Sequence, residues 1–496
     1  MLVFCKKERI GLMFHKLRGR MKVVVIVVVA CMAGGLLWAA GEALFRSNSG
    51  QQVALTPVAT VNGENITQYE LYNHFLHNLQ TIQQQQGVLP GSSYETVQYQ
   101  TLQTLIESVL IQQEIAKRKI TASDEEIAAE LQTLIDLFPS VEDYETQLEL
   151  AGLSEEVLKR QIAQEIQFRK LKREVLSDVP VEEWEIKEAY EEVRPSHILV
   201  SPLELTEEGW AEAEARAWEI YAEVNAENFA DLAVKYSEDS SRDAGGDIGF
   251  ISRGITVPEF EEAAFALGIN EISEPVRSQY GYHIIMVTER KDAEGKEFER
   301  VRALIEDEVR DEKGRADLIA WIEGVREEAD IVYTDYQMNA RAQLLQGNYD
   351  EAIRNYKLAI EQQPTNPYLY SSLGDVYQEM DNLDEAIAQY LLAIEQFEED
   401  YSLHMLLGNL YLEAEREDEA VEAYLRASEL APDDIFAQLT LYNNVNRLER
   451  YEEARIIEER IAAFQERQAA MLEAQQEATA AEESPEQGPD EPAADE

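Results

Sequence analysis

Cysteine is almost absent from this chain of 496 residues: only Cys5 and Cys31 occur, both near the amino end. Everything beyond them can form no disulfide and no cysteine-ligated metal site. Basic residues are scarce as well, with 43 Lys and Arg against 97 Asp and Glu and a formal net charge of −54. The deficit is uneven. The first 50 residues hold eight basic and two acidic side chains, or +6, which leaves 35 basic against 95 acidic and −60 for the remainder. A surface so negative repels phosphate backbones and argues against nucleic acid as a partner. It stays hydrated in a salty medium where self-repulsion is screened, so the charge reads as a sign of saline habitat rather than of function. No pattern in the chain asks for a cofactor or a metal.

An uninterrupted apolar run of 18 residues, Val23 to Ala40, is just long enough to cross the hydrocarbon of a bilayer. Basic residues from Lys6 to Lys22 precede it. The expected layout is therefore a cytoplasmic segment over 1–22, a single membrane helix over 23–41, and the bulk of the chain outside the cytoplasm. A cleaved lipoprotein signal is the other reading, because Val28-Val29-Ala30-Cys31 loosely fits the box before a lipidated cysteine. Against it, the apolar run continues through Leu36, Leu37 and Trp38.

From Val58 the chain reads VATVNGENIT, two short strands around an Asn62-Gly63 turn. Thr67 with Glu70, and Ser123 with Glu126, are helix-opening capping boxes. Amphipathic helices follow as far as Ser177, and another helical stretch runs from Glu297 to Ala329 before a short apolar piece at Ile331 to Tyr333. The third region repeats every 34 residues. Ala352, Ala386, Ala420 and Ala454 keep one register within YDEA, LDEA, EDEA and YEEA; Tyr356, Tyr390 and Tyr424 keep a second; Leu373, Leu407 and Leu441 a third, with Gly374 and Gly408 following. That is the tetratricopeptide period, in which paired helices stack because none can bury its apolar face alone. Three repeats and a partial, capping fourth are expected over 336–465. Beyond them the Ala, Glu, Gln and Pro of 466–496 predict a disordered acidic tail.

The chemistry lies between these regions. RPSHILVS is a strand in which His197 and Leu199 face one way and Ile198 and Val200 the other. YSEDSSRDAGGDIGFISRG brings Asp239 at the end of a helix with the apolar face Phe229, Leu232, Ala233 and Tyr236. VPEFEEAAFALG and SQYGYHIIMV follow, the second a strand carrying His283. Two strand histidines and a loop acid in this order resemble the parvulin-type peptidyl-prolyl isomerases over residues 190–291. The resemblance implies an α+β domain with a four-stranded antiparallel sheet. It also implies His197, Asp239, His283 and Ser278 as the catalytic group, with the Ser278 hydroxyl linking the histidines, and Ile248, Thr256 and Phe260 around the proline ring. Thr256 departs from the Met usual at its position, which implies a smaller, more polar wall. SPLELTEEGW, the loop after the first strand, holds no Arg or Lys, so phosphate reading is not expected.

The layout over 57–180, completed by 297–333, resembles the amino-terminal chaperone domain of SurA- and PrsA-like foldases. That likeness implies a bacterial origin, a returning segment that packs on the helical domain, and unfolded exported polypeptides as partners. The whole is thus expected to be a multidomain α+β chain with an anchor, a helical chaperone domain, a parvulin-like domain, an all-α repeat solenoid and a tail. Two functions follow. One is an anchored foldase that isomerises X-Pro bonds, with a further protein partner in the repeat groove. The other is an inert chaperone or scaffold on the same folds. Rival readings fare worse. A serine-protease triad of Ser278, His283 and Asp239 lacks a nucleophile elbow. Asp239, Asp243 and Asp247 are too widely spaced for a calcium loop, and nothing completes a site around His74 and His77.

Overall fold

The computed structural model describes residues 55–86, Leu89 and 91–482. The apolar run at 23–40, its basic flank, Cys5 and Cys31 lie outside the described residues; among these, no helix is long and apolar enough to cross a membrane.

The chain opens with β1 (Pro57–Val61) and β2 (Glu64–Thr67), turned at Asn62 and Gly63, both at positive φ. Helices α1 (Gln68–Gln86) and α2 (Tyr94–Lys117) follow, the first opened by Glu70 accepting from Thr67 N at 2.7 Å. Next come α3 (Asp124–Ile135), α4 (Val141–Leu150) and α5 (Glu155–Val175), which share a core of Leu131, Tyr144, Leu158, Ile162 and Ile166. The Ser123–Glu126 capping box expected at α3 is formed.

After α6 (Glu183–Tyr190) the chain enters the sheet domain: β3 (Glu192–Val200), α7 (Glu207–Glu223), α8 (Phe229–Tyr236), β4 (Ile251–Ser252), α9 (Pro258–Ala266), β5 (Val276–Ser278) and β6 (Gly281–Lys291). The strands pair antiparallel in the order β4-β3-β6-β5. Ile198, Val200, Ile284 and Met286 bury one face of the sheet against Ala213, Ala217, Phe229 and Ala233 of α7 and α8. Val193, Ile285 and Val287 bury the other against Phe260, Ala264 and Phe265 of α9. With both central strands covered on both sides, their side chains are held closely in place.

Helices α10 (Gly295–Lys313) and α11 (Arg315–Glu328) come next. Arg173 of α5 donates to Asp307 of α10 at 2.9 Å, and Lys172 pairs with Asp311. β7 (Ile331–Tyr333) then pairs antiparallel with β1, completing a sheet in the order β2-β1-β7. The described chain divides into two compact units, Leu110–Glu328 and the segments up to Val109 and from Ala329.

Four helix pairs end the second unit: α12 (Tyr336–Leu345) with α13 (Tyr349–Gln362), α14 (Pro367–Glu379) with α15 (Leu383–Gln396), α16 (Tyr401–Glu413) with α17 (Glu417–Leu430), and α18 (Ile435–Arg447) with α19 (Tyr451–Glu482). The alanines and tyrosines of the repeat are buried between helices. A Cβ on Gly374 or Gly408 would sit 2.7 Å or 2.6 Å from the ring of Tyr390 or Tyr424, so this close approach requires glycine. The corner inside each pair is left-handed at Gly347, Asp381, Glu415 and Glu449, with φ of 75°, 58°, 57° and 58°, and only the first is glycine.

Two expectations are corrected here. The fourth repeat has both its helices. The tail is not disordered from residue 466, because α19 continues to Glu482. Ala, Glu and Gln are strong helix formers, and a helix already nucleated by the packing of Ala454 and Ile457 extends at small cost. Residues 483–496 lie outside the described residues.

Candidate active site

β3 and β6 set the two histidines. Their register pairs Leu199 with His283 and His197 with Ile285, so both imidazoles project from the same face two residues apart along the ladder. The rings lie nearly parallel, at 17° with centroids 5.4 Å apart, and both are buried. His197 Nδ1 stands 3.1 Å from His283 Nδ1. Phe260 on α9 meets both edge-on, 5.3 Å from each centroid.

Asp239 stands 3.2 Å from His197 Nε2 through its Oδ1. Its position corrects the sequence reading, since α8 stops at Tyr236 and Asp239 instead caps the short 3₁₀ turn Ser240–Ala244. Its Oδ1 accepts from the Ser241 backbone N–H at 2.8 Å and from the Ser241 hydroxyl at 2.6 Å. Ser278 is also displaced from the expected place. Its hydroxyl lies 2.7 Å from His283 Nε2, on the far side of that ring, so it does not bridge the histidines; their direct contact leaves no room for a bridge.

Four groups therefore form one chain: Asp239, His197, His283, Ser278. Burial works against the Asp239 charge, but the hydrogen bonds from Ser241 and His197 outweigh it and hold the carboxyl below its usual range. Burial also lowers His197, opposed by Asp239. It lowers His283 to about 4, helped by His197. Both rings are then neutral at neutral pH, and one proton direction satisfies every contact. Ser278 O–H donates to His283 Nε2, His283 Nδ1–H to His197 Nδ1, and His197 Nε2–H to the Asp239 carboxylate.

Ile248 packs partly buried beside Phe260 in the α9-side core. Its N–H donates to the Pro195 carbonyl at 3.2 Å, tying the loop to β3. Gly246, at φ 81°, carries this crossing; a Cβ there would strike the His197 carbonyl. Thr256 keeps a buried hydroxyl without a hydrogen-bond partner. Asp243 is exposed beside Arg242, while Asp247 binds Arg194 at 2.7 Å, so the spaced aspartates do not converge. His74 and His77 stay on α1, and among the described residues no group of three potential metal ligands forms. Sequence reasoning missed Ser241 and Gly246. The Asp-x-Ser step at 239–241 is an N-cap pattern that could have given the first.

The profile of the PPIC-type PPIASE domain matches residues 197–289. That of the SurA-like N-terminal domain matches 13–172, and two tetratricopeptide profiles match 340–381 and 371–435. With its two-histidine sheet, the domain over 197–289 is a parvulin-type peptidyl-prolyl isomerase. The chain is 33% identical over 281 residues to the foldase protein PrsA of Caldanaerobacter subterraneus, a match that takes in 52% of this chain and 81% of that one. It is 34% identical over 251 residues to the foldase protein PrsA 3 of Bacillus anthracis, covering 48% and 82%. It belongs to the PrsA foldase family. The crystal structure of the peptidylprolyl isomerase PrsA from Bacillus cereus aligns over 57% of this chain and 96% of that one at 25% identity, with a TM-score of 0.24.

Proposed function

We propose that this chain is a membrane-anchored extracytoplasmic foldase that holds unfolded exported polypeptides and turns their X-Pro bonds at His197, Asp239, His283 and Ser278. The domain division read from the sequence belongs to this reading, with an anchor over 23–41 and the isomerase over 190–291. The observation that carries it is the continuous chain of hydrogen bonds from Asp239 to Ser278 through two neutral, buried imidazoles.

Rotation about an X-Pro bond meets a barrier of about 18–20 kcal/mol because the planar amide loses its resonance. At the twisted geometry the nitrogen regains a lone pair and the carbonyl becomes ketone-like. A site that binds this form better than the planar one lowers the barrier without covalent chemistry. Ile248 and Phe260 supply the apolar seat for the ring. Asp239, fixed by Ser241, faces the amide at the rim and sets the tautomers behind it.

A second reading, an inert chaperone, draws on Thr256: an unpartnered hydroxyl in the pocket wall weakens the grip on proline. Prolyl exchange measured by NMR on an unphosphorylated X-Pro peptide separates the two. Acceleration by the parent that is lost in Asp239→Ala supports the isomerase. No acceleration by a folded parent selects the inert chaperone.

A further inference from the structure

In the second and third repeats the buried tyrosine of the second helix finds an acceptor fifteen residues back, on the first helix of its own repeat. Tyr390 donates to Asp375 at 2.5 Å, and Tyr424 to Asn409 at 2.7 Å. The first repeat breaks this rule. Fifteen residues before Tyr356 stands Arg341, which has no acceptor to offer. Tyr356 donates instead to Glu95 Oε1 at 3.0 Å, 261 residues away in sequence. Ser372 of α14 donates to the other oxygen of the same carboxylate, and the Arg341 charge acts on it as well. Glu95, Tyr356 and Ser372 are all buried, and Arg341 Nε is buried without a hydrogen-bond partner. Just ahead of Glu95, Gly91 lies so close to Tyr368 that a Cβ there would run into its ring and hydroxyl.

We infer that the first repeat and the following helix α14 form a carboxylate-binding pocket, built from Arg341, Tyr356 and Ser372, that recognises an acidic side chain in the opening turn of a peptide helix. In the described state the chain's own Glu95 fills it. An acidic peptide segment of another protein, led by a small residue as Glu95 is led by Gly91, competes for the same place. The site is polar by construction: the tyrosine acceptor kept in the next two repeats is exchanged for a cation, and Ser372 stands where the third repeat has Leu406. Burial pushes the Glu95 carboxyl up to about 7, against the pull of Ser372, Arg341 and Tyr356. Holding the ionised form there costs free energy, so the internal occupant is held less tightly than an apolar plug would be.

The test uses the full chain and a fluorescent peptide with the sequence of Gly91 to Gln103. In Glu95→Lys the new cation faces Arg341 and vacates the pocket. This variant is expected to bind the peptide at least tenfold more tightly than the parent does. Adding Arg341→Gln, or replacing the peptide's glutamate by glutamine, should cost that gain. Equal binding by variant and parent, or binding indifferent to Arg341 and to the glutamate, overturns the proposal. Should Glu95→Lys fail to fold, hydrogen exchange decides. Arg341→Gln alone should speed exchange of the amides at 94–100 severalfold and leave those of α16 to α18 unchanged, whereas unchanged protection at 94–100 overturns it.

Discussion

His283 Nδ1 and His197 Nδ1 stand 3.1 Å apart, a distance at which one nitrogen must donate and the other accept. With His283 Nδ1–H as donor, His197 Nδ1 must stay unprotonated to accept, and His283 Nε2 accepts from the Ser278 hydroxyl only while its own ring is neutral. His283 is lowered from 6.5 to about 4 by burial and by His197, so the folded chain binds fewer protons here than the unfolded one. Stability from this pair is full above pH 6.5 and is lost as pH falls through 4. Catalysed prolyl exchange is therefore expected to be flat above pH 6.5 and to collapse near pH 4, measured as a pH–rate profile on the folded protein. A loss of rate centred near 6.5 would show an imidazole that titrates normally.

Ser241 gives Asp239 two of its hydrogen bonds, and substitution by Ala removes the one from its hydroxyl. A hydrogen bond to a carboxylate contributes about 1.5–3 kcal/mol. Ser241→Ala should lower kcat/KM by about ten- to hundredfold, and should raise the Asp239 pKa. NMR titration of the carboxyl carbon checks the second effect independently of turnover.

Thr256→Val removes a buried hydroxyl that has no partner and keeps the side-chain shape. The change should stabilise the domain by about 1 kcal/mol, read from urea unfolding, and tighten proline binding. A loss of stability would mean that the hydroxyl meets a bound water.

Much of this was readable in advance. The alternation of RPSHILVS and YHIIMV places His197 and His283 on one face, and a 34-residue register names the buried Tyr356, Tyr390 and Tyr424. What escaped depends on contacts far apart in sequence or on local backbone choices. Nothing near Tyr356 announces Glu95. The end of α8 at Tyr236, rather than at Asp239, follows from the next turn, which Asp239 caps by accepting from the Ser241 backbone N–H. The length of α19 was misread because a composition poor in apolar residues is equally that of a good helix former.

The left-handed corners at Asp381, Glu415 and Glu449 strain residues that carry a Cβ. Glu415→Gly should raise the stability of the repeats by up to about 1 kcal/mol, the strain relief being partly offset by the greater freedom of glycine when unfolded. Denaturant midpoints of parent and variant at equal slope give the comparison.

The net charge of −54 yields a solution test. Thermal stability of the chain should rise with added salt as self-repulsion is screened. A flat or falling curve would remove the saline-habitat explanation.

The strand β7 reaches β1 only after some 270 intervening residues, from Val61 to Ile331. A ribosome making this chain from its amino end therefore releases β1 with one edge open, and that edge stays unpaired until the whole isomerase domain has been translated. The isomerase is encoded inside a parenthesis whose closing mark is three residues long. A nascent foldase is, for the duration of that parenthesis, itself a chain waiting for its partner strand, and truncation anywhere before Ile331 makes the wait permanent.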